Sequence, residues 1–154
     1  MPHIHEKIDY TVEVFIIYKD TVLLRYHDKY KIWLSVGGHV ELNEDPIQAA
    51  VREVKEEVGL DIVISKKNLP FELISEKYTE LIPPKFLNRH RISQTHEHVC
   101  MTYFATAKSN KVTVEYNSDK SDDWKWVTKK ELETMDLSPG VKFYAMSALD
   151  DLAR

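Results

Sequence analysis

The sequence contains a single cysteine, Cys100, and only four glycines. One cysteine cannot form an internal disulfide, which excludes a disulfide-stapled scaffold and fits a reducing compartment. No apolar run approaches the roughly 18 residues that a membrane-spanning helix needs, so we expect no membrane partner. The first ten residues also lack the apolar stretch of a secretory signal. A cytoplasmic location is therefore the expectation.

An excess of positive charge is also missing. Lysine and arginine number 21 against 25 acidic residues, and the net charge is -4. This balance argues against general binding to duplex nucleic acid, which usually needs a basic face. It leaves open a nucleotide ligand, which a bound cation could bring in. The 154 residues, of which 43% are hydrophobic and 30% charged, predict a single globular domain over residues 1–154.

The pattern of apolar, β-branched and turn residues predicts strands that are interrupted by a few helices. The predicted helices cover 46–58, 128–135 and 139–153. The predicted strands cover 10–18, 21–27, 32–36, 60–65, 71–75, 98–107, 111–116 and 124–127. Residues 76–95, with Pro83–Pro84, read as a long irregular connection. Because strands and helices do not alternate strictly, we expect an α+β fold with a central mixed sheet.

The helix over 46–58 has the clearest local signals. Asp45 is a good N-cap, Pro46 suits the first helical position, and Gln48 completes a capping box. Gly59 is a natural stop just past the last turn. Upstream, Gly37–Gly38 follows a predicted strand, where the backbone can turn sharply or approach a ligand.

This helix carries carboxylates on one side. Relative to Glu53, Glu56 lies about −60° and Glu57 about +40° around the helix, so all three share an arc of roughly 100°. A solvated surface is the ordinary explanation of a glutamate-rich helix. Here, however, the glutamates do not form Glu-to-Lys ladders, and three of the four glycines flank the segment. Oxygen-rich clusters of this kind suit Mg²⁺ or Mn²⁺.

At this point the sequence resembles a known family. Gly38, Glu44 and the run from Arg52 to Leu60, "REVKEEVGL", match the complete Nudix box, G-x5-E-x7-R-E-U-x-E-E-x-G-U, in which U is aliphatic. The flanking chain resembles the family too, in its N-terminal hairpin and in the Trp-Val before a "KKEL" helix. One departure is Ser35-Val36 before the glycines, where many members have a proline.

The resemblance implies an α/β/α sandwich that hydrolyses a diphosphate linkage in a nucleoside diphosphate joined to another group. It implies dependence on a divalent cation, with Glu53, Glu56 and Glu57 as ligands and the Gly37 carbonyl as an addition. Arg52 would orient a glutamate, and Glu44 would help to hold the loop or a metal-bound water. Glu53 is our first choice as general base.

Several residues outside the box are further candidates. Because members of the family differ in the position of the base, Glu97 and Asp123 are alternative bases or ligands. The long connection is our candidate for setting substrate identity. Four residues there could contact substrate, two by charge and two by stacking: Arg89, Arg91, Tyr78 and Phe86.

The remaining chemistry-bearing residues have plainer interpretations. "THEH" suggests zinc, because His96 and His98 would share one face of a strand, but two histidines do not make a site without further ligands. We therefore expect a satisfied or substrate-facing pair. Cys100, in the middle of a strand, is expected to be buried. Trp33, Trp124 and Trp126 are expected to pack in the core or at its rim.

We therefore predict a Mg²⁺- or Mn²⁺-dependent diphosphohydrolase. The substrate stays open between a nucleoside triphosphate, which we favour, an ADP-ribose-like sugar nucleotide and a dinucleoside polyphosphate. The rival from another class is a non-catalytic nucleotide-sensing module on the same fold. An intact set of three glutamates argues against that rival, because a pure binder does not need them. A homodimer is left open.

Overall fold

The computed structural model describes residues 6–114 and 123–154, which form one mixed sheet with helices on both faces. The strands, in chain order, are β1 (Ile8–Tyr18), β2 (Thr21–His27), β3 (Ile32–Leu34), β4 (Val36–His39), β5 (Ile62–Ile64), β6 (Phe86–Arg91), β7 (Glu97–Ala107) and β8 (Asp123–Thr128). The helices are α1 (Pro46–Val58), α2 (Lys129–Thr134) and α3 (Pro139–Leu152). The sheet order is β3-β2-β1-β7-β5, with β4 paired to β1, β6 to β7 and β8 to β2. The predicted α+β architecture with a mixed sheet is confirmed.

The centre of the sheet is the parallel pair of β1 and β7. Their register runs from Ile8 opposite Glu97 to Ile17 opposite Thr106. Both strands are long and rich in β-branched and aromatic residues, as expected for strands that are covered on two faces. The hairpin predicted at the start of the chain is confirmed, since β1 and β2 pair antiparallel around Lys19, whose φ of 56° is left-handed.

Side chains from the sheet alternate between two separate cores. Helix α1 covers one face, where its small residues Ala49, Ala50 and Val54 pack on the sheet. The sheet contributes Val12, Val14 and Tyr103, among others, to this core. Helices α2 and α3 cover the other face, whose core includes Phe15, Ile17, Phe104, Leu132, Ala145 and Leu149. The even-numbered inner residues of β1 therefore face α1, and Phe15 and Ile17 face α3.

Helix α1 forms as its local sequence predicts. The Asp45 side chain accepts from the Gln48 amide, the Gln48 side chain accepts from the Asp45 amide, and Pro46 is the first helical residue. The helix ends at Gly59, which has a φ of 67°. The helix predicted over 139–153 is confirmed as α3, and the one over 128–135 as the shorter α2, which Thr128 caps.

The segment around the double glycine differs from the prediction. The strand expected over 32–36 is two strands, β3 and β4, that are interrupted at Ser35. Gly37 and Gly38 do not form a sharp turn but lie within β4, opposite Glu13 and Val12 of β1. A Cβ on Gly37 would meet the backbone of β1, and one on Gly38 would meet the Glu53 carboxylate, so both positions bring the chain close to its neighbours. The approach of this backbone to a ligand stays a prediction.

Three further strand predictions and the predicted irregular connection need correction. Residues 71–75 form no strand, only an isolated bridge between Ile74 and Thr79. The connection over 76–95 is not irregular throughout, because β6 pairs antiparallel with β7 beyond the two prolines. Residues 111–114 lie outside any strand, and the rest of the strand predicted over 111–116 falls outside the described residues. The strand predicted over 60–65 is shorter, as β5.

Cys100 is buried as expected, and burial raises the pKa of its thiol to about 12. Among the helices of the described residues, none has the length and apolar character to cross a membrane.

We expect Gly37→Ala to destabilise the fold, because a Cβ at this position would lie 2.1 Å from the Val12 carbonyl oxygen and 2.9 Å from the Glu13 Cα. Backbone atoms of a paired strand cannot yield cheaply, so a cost of about 1–3 kcal/mol is expected. Urea unfolding of both proteins measures it. The control is Gly140→Ala, where a Cβ would meet nothing within 4 Å. Equal unfolding midpoints for the two variants would contradict this account of the β1–β4 contact.

Candidate active site

The carboxylate of Glu53 is enclosed between α1 and β4. Glu53 is 6% exposed, although it is an ionisable residue on the acidic side of the helix. A Cβ placed on Gly38 would lie 2.2 Å from the Glu53 Oε1 and 2.3 Å from its Cδ. The space that a side chain at position 38 would fill is therefore the space that the carboxylate uses. This explains why a glycine precedes the acidic helix.

The guanidinium of Arg52 joins the surrounding acidic groups. Its Nε and Nη2 donate to the two Glu44 carboxylate oxygens at 3.0 and 2.6 Å. Its Nη1 donates to Glu53 at 2.9 Å and to Glu56 at 3.2 Å. Nη2 also donates to the His39 carbonyl at 2.9 Å. The Arg52 guanidinium thus ties the loop after β4 to α1 and partly neutralises the carboxylates of Glu44, Glu53 and Glu56.

The electrostatics of this network follow from its hydrogen bonds. The bond from Arg52 lowers the pKa of Glu44, with a smaller contribution from the Glu41 amide that donates to it. The same pairing, together with the bond to Glu53, raises the pKa of Arg52. The Glu44–Arg52 pair therefore stays ionised throughout the neutral range.

Glu56 and Glu57 differ in exposure. The Glu56 side chain is 60% exposed, whereas that of Glu57 is 11% exposed. The Arg25 Nη1 lies 3.6 Å from the Glu57 Oε2, and the Arg25 guanidinium lies 5.9 Å from the Trp124 ring. Sequence reasoning missed Arg25. Leu23 packs in the α1-side core, and residues two apart on a strand share a face, so Arg25 is directed to the face that α1 covers.

The donor set suits a hard divalent cation. The side chains of Glu53, Glu56 and Glu57 offer only carboxylate oxygens as ligands. The Glu53 carboxylate is enclosed beside Gly38 and is therefore largely shielded from water. Mg²⁺ and Mn²⁺ prefer such oxygen ligands. The structure also places Gly37 in the adjacent strand β4. These residues fit the cation that the sequence pattern indicates.

The two alternative acidic residues lie elsewhere. Glu97 opens β7 and forms an ion pair with Arg89 at 3.2 Å. Asp123 opens β8 opposite Tyr26, next to Trp124, which packs against the α1-side core. Because neighbours on a strand point to opposite faces, Asp123 is directed away from that core. Neither the Glu97–Arg89 ion pair nor the pairing of Asp123 with Tyr26 involves a residue of the Arg52 network.

The predicted substrate contacts are dispersed. Arg91 donates to the Gln94 carbonyl, and the exposed Tyr78 hydroxyl donates to Glu80. Phe86 has packing partners in the α3-side core, where its ring stacks on Tyr144 with centroids 4.9 Å apart. All four residues stay predictions as substrate contacts.

A cleft of about 400 Å³ lies beside the network. The segment between β4 and α1 forms one wall, through Glu41, Leu42 and Pro46, and Tyr10 and Met101 of the sheet contribute to its lining. Its size is within the range of small-molecule sites. Glu41 lies 3.9 Å from the Arg52 Nη1, so the cleft opens next to the acidic helix.

The histidines of "THEH" do share one face, as expected. The rings of His96 and His98 lie 5.5 Å apart between centroids. Burial, together with neighbouring histidines, lowers the pKa of His98 to about 4. His98 is therefore a neutral imidazole at physiological pH.

Replacing Glu44 should weaken the dependence of stability on acidity. The pKa of Glu44 is lowered from its ordinary value of 4.5 in the folded state. Its contribution is therefore present above that value and is lost as the pH falls through the folded pKa. Glu44→Gln removes this titration, so we expect a smaller difference in urea midpoint between pH 6 and about pH 3.5. Glu133→Gln, an exposed change of the same charge on α2, is the control. An unchanged difference in Glu44→Gln would refute the assignment.

The chain matches a known protein family and solved structures. The family model of the NUDIX domain matches residues 9–146. The chain is similar to a crystal structure of a NUDIX-family hydrolase from Clostridium perfringens, with a TM-score of 0.78, 32% identity, and coverage of 92% of this chain and 96% of the other.

Several curated relatives carry the name dihydroneopterin triphosphate diphosphatase, and two of them show the range of similarity. The protein from Haemophilus influenzae is 30% identical over 132 residues, which span 84% of this chain and 80% of the relative. The protein from Escherichia coli is 45% identical over 51 residues, which span 33% of this chain and only 34% of the relative. Together with the family match, these similarities show that the chain belongs to the NUDIX domain family.

Proposed function

We propose that this protein hydrolyses a diphosphate linkage in a small triphosphate, with a divalent cation, Mg²⁺ or Mn²⁺, held by the α1 carboxylates. The observation that carries the proposal is the enclosed Glu53 carboxylate between Gly38 and Arg52, beside two further glutamates on the same side of α1. A solvated helix surface would not need a buried carboxylate or a glycine that makes room for it.

The proposed ligands are Glu53, Glu56 and Glu57, with the Gly37 carbonyl as an addition. When bound, the cation would supply neutralisation of charge on the phosphoryl oxygens and activation of a water molecule. Glu53 is the proposed general base. Arg52, which already donates to Glu53 and Glu44, would keep the base ionised and hold it against the sheet. Glu44 anchors that arginine to the loop after β4.

Within this class we favour a nucleoside triphosphate or a chemically similar heterocyclic triphosphate. Both curated relatives described above are named for a triphosphate that carries a pterin. A pterin and a purine are planar heterocycles of similar size, so a cleft of about 400 Å³ could receive either. Sugar nucleotides and dinucleoside polyphosphates are the alternatives.

A Mg²⁺-dependent hydrolysis screen tests the function. It compares nucleoside triphosphates, dihydroneopterin triphosphate, ADP-ribose, other sugar nucleotides and dinucleoside polyphosphates. We expect turnover of a triphosphate that is abolished by chelation of the metal. Glu57→Gln should lower kcat/KM by roughly 100-fold or more, because a lost ligand removes several kcal/mol of charge stabilisation. Glu133→Gln, the same change on an exposed part of α2, should retain full activity.

The outcomes separate the alternatives. Absence of turnover on every compound, with nucleotide binding intact, would favour the non-catalytic sensing module. Turnover that is the same in Glu57→Gln and in Glu133→Gln would disprove the assignment of the ligands, even if the enzyme class holds. Turnover that is greatest with ADP-ribose would keep the enzyme class and overturn the triphosphate preference.

Gly38→Ala should impair the metal site while it leaves the fold largely intact. The atoms that a Cβ at this position would displace belong to the flexible end of the Glu53 side chain, not to backbone. We therefore expect a raised Mg²⁺ concentration for half-maximal activity and an unfolding midpoint nearer to wild type than that of Gly37→Ala. The measurements are a Mg²⁺ titration of initial rates and a urea curve. A normal Mg²⁺ dependence would show that the enclosed carboxylate is not part of the site.

A further inference from the structure

A row of ionisable side chains crosses the sheet on the face that α3 packs against, beyond the α3-side core. Asp9 of β1 lies opposite His98 of β7, and His98 lies opposite His90 of β6. On the other edge of β1, His39 of β4 lies opposite Thr11, two residues on from Asp9. Since directly paired residues and residues two apart share a face, strand register brings these side chains together.

Three members of this row converge at short range. Asp9, His39 and His98 each offer one ligand atom, and all three atoms lie within 4.8 Å of one another. The His39 Nε2 lies 3.3 Å from the Asp9 Oδ2. Two atoms that each bind a tetrahedral zinc ion at 2.0–2.1 Å are separated by about 3.3 Å. The His39–Asp9 pair is therefore already at the spacing of one edge of such a site.

We propose that Asp9, His39 and His98 form a second metal site, for Zn²⁺ or a similar late first-row divalent cation, which is separate from the carboxylates of α1. Two imidazoles with one carboxylate is a donor set that zinc accepts, with a further position for water or a ligand group. It is a poor set for Mg²⁺, which prefers oxygen. The sequence alone does not show which residues could join the two histidines of "THEH" as further metal ligands. The strand register brings Asp9 and His39 close to them.

His96 acts as a positioning residue for this site. Its Nε2 lies 3.0 Å from the Asp9 Oδ2, and its Nδ1 lies 3.3 Å from the Glu6 carbonyl. Asp9 is 1% exposed, so its carboxylate is held between groups of the protein. Metal-bound carboxylates are usually hydrogen-bonded in this way by residues behind them, which fixes the orientation of the ligand.

A buried ion pair between Asp9 and one protonated histidine is the competing explanation. It accounts for His96 or for His39, but it does not call for a third imidazole. The rings of His39 and His98 lie 4.9 Å apart, and those of His90 and His98 lie 5.6 Å apart. Several imidazoles at this spacing around one carboxylate serve a shared divalent cation better than they serve one proton.

The test is a metal titration of the full chain after removal of bound metal with EDTA. Excess Mg²⁺ is kept present to compete for the α1 carboxylates, and Glu57→Gln, which removes one of them, shows whether they contribute to the signal. Co²⁺ is the spectroscopic probe, because its visible absorption reports four-coordinate ligation, and Zn²⁺ is the competitor. We expect one equivalent of Co²⁺ per chain, which Zn²⁺ displaces.

Matched variants assign the ligands. His98→Gln and Asp9→Asn should weaken Co²⁺ binding by more than about 100-fold, and His96→Gln by about 10–100-fold, the usual effect of a residue behind the ligand. His27→Gln, in β2, and Glu57→Gln, on α1, should bind as the wild type does. Circular dichroism and melting without metal show whether each variant is folded. His39→Gln replaces any variant that is not.

Each result decides the proposal. Loss of binding in the Asp9 and His98 variants, with retention in Glu57→Gln, supports it. Absence of stoichiometric Co²⁺ or Zn²⁺ binding in the presence of Mg²⁺ would overturn it. Equal affinity in wild type and His98→Gln would overturn it as well, as would loss of binding in Glu57→Gln alone. None of these readouts depends on hydrolysis, so a failure here is distinct from a failure of the proposed enzyme function.

Discussion

The neutralisation of carboxylates by the Arg52 guanidinium is the interaction on which the rest of the site depends. Glu53 is almost fully enclosed, and burial of an ionised carboxylate is costly unless it is paired. Arg52 offsets that cost and also donates to Glu44 and to the His39 carbonyl, so hydrogen bonds tie the loop after β4 to α1. Gly38 completes the arrangement because it leaves the carboxylate room against the sheet. The acidic helix is thus partly neutralised by the protein itself.

The α3-side face of the sheet is divided along the strands. At one end, Phe15 and Phe104 lie opposite each other and pack beneath α3. One step along, Glu13 lies opposite Thr102, whose hydroxyl donates to it at 2.6 Å, and further on come Asp9 and His98. The same two strands, β1 and β7, therefore contribute apolar pairs to the core at one end and polar, hydrogen-bonded pairs at the other. Polar groups so placed need partners, and the register supplies them in pairs.

The sequence predicted best what short-range chemistry decides. Helix α1 begins and ends where Asp45, Pro46 and Gly59 indicate, because capping and the left-handed stop act within one turn. The arc of Glu53, Glu56 and Glu57 follows from helical geometry alone.

The prediction of a strand over 71–75 was wrong because the apolar pattern of a segment does not decide whether the segment joins a sheet. These residues form only an isolated bridge between Ile74 and Thr79, and Ile74 is 84% exposed. The packing of Phe86 against Tyr144 could not be predicted either, since the face that a strand residue occupies depends on a partner strand distant in sequence. Likewise, Arg25 reaches Glu57 only through tertiary packing.

The same dependence on register explains how one strand could serve two kinds of cation. Within β4, Gly38 faces α1 and its carboxylates, and His39 faces the opposite side with Asp9 and His98. Neighbouring residues of a strand point to opposite faces, so β4 directs the His39 side chain away from the carboxylate that Gly38 accommodates. Ligand type then does the sorting: carboxylates alone favour Mg²⁺ or Mn²⁺, and imidazoles favour zinc-like ions. The Arg52 bond to the His39 carbonyl connects the two sides, because it fixes the backbone from which the His39 side chain departs.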